Sequence, residues 1–123
     1  MEFLYCDGGR SNYFEGVVGD CVTRAFSIAL GKNYLTIYEI VNKVCGSMPT
    51  KRARANWGVY PNQIKRIGKH FNLKFNRKKG IVNKKTNGKY IFFLDGHLTC
   101  AMNGILMDTI DCRNSKYYGY YEL

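Results

Sequence analysis

No apolar run in this 123-residue chain approaches the ~18 residues needed to cross a bilayer, so no membrane partner is expected. The longest run, Tyr90-Ile91-Phe92-Phe93-Leu94, has the length of a strand. The opening residues Met1-Glu2-Phe3-Leu4-Tyr5-Cys6 lack a basic stretch followed by an apolar one. A secretory signal is therefore not expected, and the cytoplasm is the expected compartment. Five cysteines, an odd number with no Cys-x-x-Cys pair, speak against a disulfide framework and a zinc module. Internal repeats and low-complexity tracts are missing, as are helix-turn-helix, RNP and zinc-finger signatures. What remains, with 46% hydrophobic and 23% charged residues, is the composition of one globular domain over residues 1–123.

One segment has no acid at all. Residues 51–90 hold thirteen Lys and Arg and no Asp or Glu, whereas the flanking segments are slightly acidic, so the formal charge of +10 arises in the middle. Such a block attracts polyanions or acidic protein surfaces in a salt-dependent way. Its cations are Lys51, Arg52, Arg54, Lys65, Arg66, Lys69, Arg77, Lys78, Lys79, Lys84 and Lys85, with Lys74 and Lys89, interleaved with Trp57, Tyr60, Phe71 and Phe75. Cations can track phosphates while aromatic faces stack on bases, which makes nucleic acid or an acidic host protein a possible partner. The plain alternatives are a solvated basic face and aromatics that belong to the core.

The hydropathy pattern divides the rest. Residues 1–19 read as an arm or loop with scattered glycines. Val22, Ala25, Phe26, Ala29 and Leu30 then recur at helical spacing, with Asp20 as the expected N-cap and Gly31 as the stop. A second helix is expected from Thr36, where Thr36 and Glu39 fit a capping box, to about Val44. A third is expected from Pro61 to about Phe71, ending near His70, whose imidazole suits a helix C-terminus. Residues 89–94, 97–102 and 105–110 are apolar runs separated by Asp95-Gly96 and Asn103-Gly104, both common type I′ hairpin pairs. The tyrosines of 117–121 suggest a half-buried edge strand. Helices first and an antiparallel meander second make the fold class α+β.

Within that layout three chemical residues converge. Cys21 opens the first helix and His97 opens a strand. If Asn103-Gly104 is a two-residue loop, Met102 pairs with Ile105, and Thr99 then faces Asp108. His97 and Asp108 become diagonal neighbours on one face, within side-chain reach. Asp111 falls on the opposite face of a regular strand. A thiol is mostly protonated at neutral pH and becomes a nucleophile when a helix N-terminus and an imidazole favour its thiolate. A carboxylate behind the imidazole sets its orientation. Cys100 and Cys112 flank His97, but Cys100 lies on the other face in this register, so no metal and no other cofactor is expected.

The stretches Gly19-Asp20-Cys21-Val22-Thr23-Arg24-Ala25 and Gly96-His97-Leu98-Thr99-Cys100-Ala101-Met102-Asn103-Gly104-Ile105-Leu106-Met107-Asp108-Thr109-Ile110-Asp111 carry a resemblance. They resemble small papain-like cysteine peptidase domains, in particular bacteriocin-processing-peptidase-like proteins and short phage-encoded relatives, with a weaker echo at Asn56-Trp57-Gly58-Val59. The resemblance implies a papain-like fold with Cys21 as nucleophile, His97 as base and Asp108 as orienter. It further implies a polypeptide substrate cleaved at a peptide or isopeptide bond through an acyl-thioester, in a host cytoplasm if phage-encoded. The family's oxyanion Gln corresponds to Glu15, so Asn12 or another nearby donor would have to act, with Asp111 as the secondary carboxylate. Asp20, beside Cys21, would raise the thiol pKa. The alternative is an inactive scaffold of the same fold that binds through its basic segment. No pattern in the sequence specifies an oligomer.

Overall fold

Helix α1, Cys21–Leu30, forms where the apolar stripe predicts it, and Gly31 ends it in the left-handed conformation at φ 62°. The computed structural model describes residues 1–14, 19–46, 59 and 61–123. Among these, α2 spans Tyr34–Cys45 and α3 spans Pro61–His70. The strands are β1 (Glu2–Tyr5), β2 (Phe75–Asn76), β3 (Gly80–Ile81), β4 (Lys89–Leu94), β5 (His97–Met102), β6 (Ile105–Asp108) and β7 (Lys116–Glu122). The molecule is α+β, with three described helices and one seven-stranded sheet. None of the described helices is long and apolar enough to cross a membrane.

The sheet runs β1-β6-β5-β4-β7-β2, with β3 also paired to β7. Its centre is the expected meander, and Cys100 pairs with Met107, Ala101 with Leu106 and Met102 with Ile105. Asn103 and Gly104 both take positive φ, as a type I′ turn requires. At Asp95-Gly96 only Gly96 is left-handed (φ 68°), which fits a type II turn instead. β6 ends at Asp108 rather than Ile110.

Several other expectations are corrected. The opening arm contains a strand, since β1 pairs parallel with β6, Tyr5 opposite Asp108. The tyrosine strand is interior, lying between β4 and β2. α2 begins two residues before Thr36 because the Asn33 side chain accepts from the Leu35 and Thr36 N–H groups, at 2.9 and 3.4 Å. The Asp20 side chain caps nothing, since stronger partners hold it.

Strand alternation gives the sheet two buried faces. Ile91, Phe93, Leu98, Cys100 and Tyr121 pack beneath Val22, Ala25, Phe26 and Ala29 of α1, Ile37 and Val41 of α2, and Ile64 and Ile67 of α3. Tyr90, Phe92, Leu94, Ala101, Leu106, Tyr117 and Tyr120 form the second cluster with Val82 and Cys112. Sequence alternation thus sorts one strand's residues into two cores. His97, Thr99 and Asp108 belong by parity to the face away from the helices. His97 sits at the very start of its strand, where the end of the sheet meets the start of α1.

A candidate active site

The β5–β6 register brings His97 and Asp108 into contact. His97 Nε2 lies 2.6 Å from Asp108 Oδ2, and Thr99 Oγ1 donates to the same oxygen at 2.6 Å. The Thr109 N–H donates to Oδ1 at 2.6 Å. Burial works against the Asp108 charge, but the bonds from His97 and Thr99, the His97 charge and the Thr109 N–H outweigh it and hold its pKa down to about 2. Burial also opposes the His97 charge. Hydrogen bonds to Asp108, Cys112 and Cys21, with the Asp108 charge, win and push its pKa up to about 11.

Cys21, half-buried at the first residue of α1, stands beside His97, whose imidazole favours its thiolate. With Nε2 committed to Asp108, Nδ1 is the nitrogen left for the thiol. Burial alone would raise the thiol pKa. The bonds to His97 and the Leu98 backbone, together with the positive charges of His97 and Arg24, lower it instead. Cys100 shows the contrast, because burial and the nearby Cys6 and Asp108 push its thiol up to about 12. Of these two cysteines, one is poised to ionise and the other is inert.

The carboxylate expected to oppose Cys21 has been neutralised. Asp20 is buried and accepts from Arg24 Nη1, from Arg10 Nη1 at 3.3 Å and from the Tyr34 hydroxyl at 2.6 Å. The other arm of the Arg24 fork, Nη2, reaches Asp108 Oδ1 at 3.3 Å. Burial and the Asp20 contact keep the Tyr34 phenol protonated well above its ordinary range, so it stays a donor. The result is an unbroken series of alternating charges, Arg10, Asp20, Arg24, Asp108 and His97, that ends beside the Cys21 thiol. Arg24 and Tyr34 were not singled out as site residues. Arg24 left a signal, because three residues after Cys21 it shares that residue's helix face. Tyr34 left none.

Two hollows meet at Cys21 and His97. One, about 120 Å³, is largely apolar and lined by Val22, Val59, Ile64, Phe93, Leu98 and Tyr118. The other is bordered by the charged side chains of Arg10, Asp20 and Arg24, with Tyr5 and Thr109. Asn12 is exposed in the 3-10 turn Arg10–Asn12 and borders neither hollow. Glu15 lies outside the described residues. Asp111 is turned away, exposed and bound in fork geometry by Arg113, at 2.9 Å from Nε and 2.8 Å from Nη2.

Cys112 comes closer to the pair than its sequence position suggested. Its Sγ lies 3.8 Å from Asp108 Oδ2, and the ligating atoms of His97, Asp108 and Cys112 all lie within 4.8 Å of one another. Among the described residues, these three form the group that could hold a metal ion. Arg24, Thr99 and the Thr109 N–H already serve the Asp108 carboxylate, an arrangement suited to holding an imidazolium.

Of the basic segment, Lys51, Arg52 and Arg54, with Trp57 and Tyr60, lie outside the described residues. Arg66, Lys69, Arg77, Lys78, Lys79 and Lys84 are exposed. Lys65 Nζ sits 5.0 Å from the Phe75 ring centre, and Lys85 Nζ lies 4.8 and 4.7 Å from those of Tyr90 and Tyr120. Phe71 stacks on Phe26 and Phe75 packs edge-on against Phe93, so both aromatics serve the core. No lysine forms a salt bridge among the described residues.

No protein-family model matches the chain, and neither a curated protein nor a solved structure matches it.

Proposed function

We propose that this protein is a cysteine hydrolase of papain-like fold that cleaves a peptide or isopeptide bond. The observation that carries the reading is the 2.6 Å contact of His97 with buried Asp108, on an imidazole that shares its cleft with the Cys21 thiol. In the resting pair Cys21 is a thiolate and His97 an imidazolium. Sulfur attacks the substrate carbonyl, a C–S bond forms, and the carbonyl π pair moves to oxygen. As the C–N bond breaks, the imidazolium gives its Nδ1 proton to the departing amine. Neutral His97 then takes a proton from water, whose oxygen attacks the thioester, and loss of the acid restores the ion pair. Asp108 stabilises the imidazolium and fixes its orientation. The resemblance to phage-encoded proteins extends the proposal to a viral protein acting in a host cytoplasm.

The test is the rate at which iodoacetamide alkylates each cysteine as a function of pH, in wild type and His97→Ala. Cys21 is expected to outpace the other four below pH 7 and to lose that lead in the variant. A Cys21 that titrates as an ordinary thiol and ignores His97 would sink the reading. The exposed, unpaired lysines favour one further reading: a basic surface for nucleic acid or an acidic host protein, with or without catalysis.

A further inference from the structure

Thiolate attack puts a negative charge on the former carbonyl oxygen, and the reaction is fast only if donors already stand where that charge develops. Asn12 does not border the cleft. Arg24 does, but its two Nη groups are committed to Asp20 and Asp108, and its Nε, though without a partner, is buried out of a substrate's reach. Arg10 borders the same hollow as Cys21 and His97, and its side chain is 11% exposed. Its one side-chain hydrogen bond among the described residues is the 3.3 Å contact of Nη1 with Asp20, the residue before Cys21. The remaining N–H groups of the guanidinium are uncommitted there.

The backbone that carries Arg10 is held in place. The Asp7 carboxylate accepts from the Gly9 and Ser11 N–H groups, at 2.9 and 3.1 Å. One residue earlier the Cys6 N–H donates to the Asp108 carbonyl at 2.9 Å. The turn that presents Arg10 is thus tied to the residue that orients His97. The two hollows then divide a substrate between them, an apolar acyl side chain on the Val59–Tyr118 side and the carbonyl oxygen on the Arg10 side.

The geometry points to Arg10 as the side chain that donates to the oxyanion of the tetrahedral intermediate. The assignment rests on the hydrolase reading. Arg10 stays protonated throughout, donating to the oxygen while the C–S bond forms and releasing it when the carbonyl re-forms.

Two reactions of the same thiol separate this role from a structural one. Acylation by p-nitrophenyl acetate passes through an oxyanion, whereas alkylation by iodoacetamide is a displacement at carbon that makes none. In Arg10→Met the acylation burst should slow about 100-fold, in the range for loss of one such donor. Arg24 and Tyr34 still hold Asp20 in this variant, so alkylation of Cys21 should fall far less than acylation, which also certifies that the Cys21–His97 pair is intact. Arg10→Lys should recover part of the acylation rate. An unchanged burst in Arg10→Met overturns the assignment. So does a parallel fall in both reactions, which would make Arg10 a brace for Asp20. If wild type itself shows no burst while Cys21 alkylates rapidly, it is the hydrolase reading that fails, and the oxyanion role falls with it.

Discussion

Arg24 and Lys78 carry the same formal charge in opposite surroundings. Arg24 is 6% exposed, its fork divided between two carboxylates, in a series where each charge faces one of opposite sign. Lys78 stands in solvent with Lys79 and Lys84 near it in sequence and no acid bound to any of them. A buried charge persists only when partners replace its lost water, so the charges around Asp20 and Asp108 form one mutually dependent unit. An exposed charge keeps its water and remains available to a partner that comes and goes. On the proposed hydrolase reading, the chemistry falls in the region where charge is buried and paired. Under the proposed reading, recognition of a polyanion would fall to the region where charge is exposed and free.

Breaking the paired region at its last carboxylate should have the largest effect. Asp108→Asn keeps the shape but cannot hold the His97 imidazolium. The acylation burst should fall about 10⁴-fold, the size of the loss when the orienting carboxylate of a triad becomes an amide. The pH dependence of stability follows from the two opposed shifts. Asp108 is depressed to about 2, so its contribution is present above the ordinary carboxylate value and is lost as pH falls towards 2. His97 is raised to about 11, so its contribution is complete below the ordinary imidazole value and is lost as pH rises towards 11. The stability gap between wild type and Asp108→Asn, measured by urea unfolding, should therefore be widest between about pH 4 and 6.5. A gap independent of pH would mean that the two side chains are not coupled.

Arg24→Met tests whether the paired region is a unit. It removes the cation shared by Asp20 and Asp108 while keeping much of the buried stem. Stranding buried charge typically costs about 3–5 kcal/mol, and a loss of that order is expected in urea unfolding at pH 7. A loss below about 1 kcal/mol would show that the other donors to each carboxylate suffice, and the charge series would reduce to separate contacts.

What could be read from the sequence follows the range of the interactions. The helix at Cys21 and the β5–β6 pairing rest on local periodicity and a two-residue turn, and from them the meeting of His97 with Asp108 could be derived. β1 could not, because its partner β6 lies a hundred residues away and the strand is only four residues long. The start of α2 turned on a choice between two local caps, in which Asn33 prevailed over Thr36. The misreading of Asp20 is the most instructive. Beside Cys21 in sequence it looked like a charge that would suppress the thiolate. Only the tertiary fold supplies Arg10 and Tyr34, which with Arg24 consume that charge.

The smallest effect on the fold, and the sharpest on recognition, should come from reversing the unpaired charges. In Lys78→Glu, Lys79→Glu and Lys84→Glu combined, no buried group loses a partner, so unfolding free energy should change by no more than about 0.5 kcal/mol per site. The acylation burst with neutral p-nitrophenyl acetate should be unchanged, because no described contact joins these lysines to Cys21 or His97. Retention on heparin should move to markedly lower salt if these lysines form the recognition surface, since reversing three charges lowers the net charge by six. Loss of acylation together with heparin retention would mean that the two regions are coupled through the segment between them. Unaltered heparin retention would locate polyanion binding in another part of the basic stretch and end the claim that the free lysines form the recognition surface.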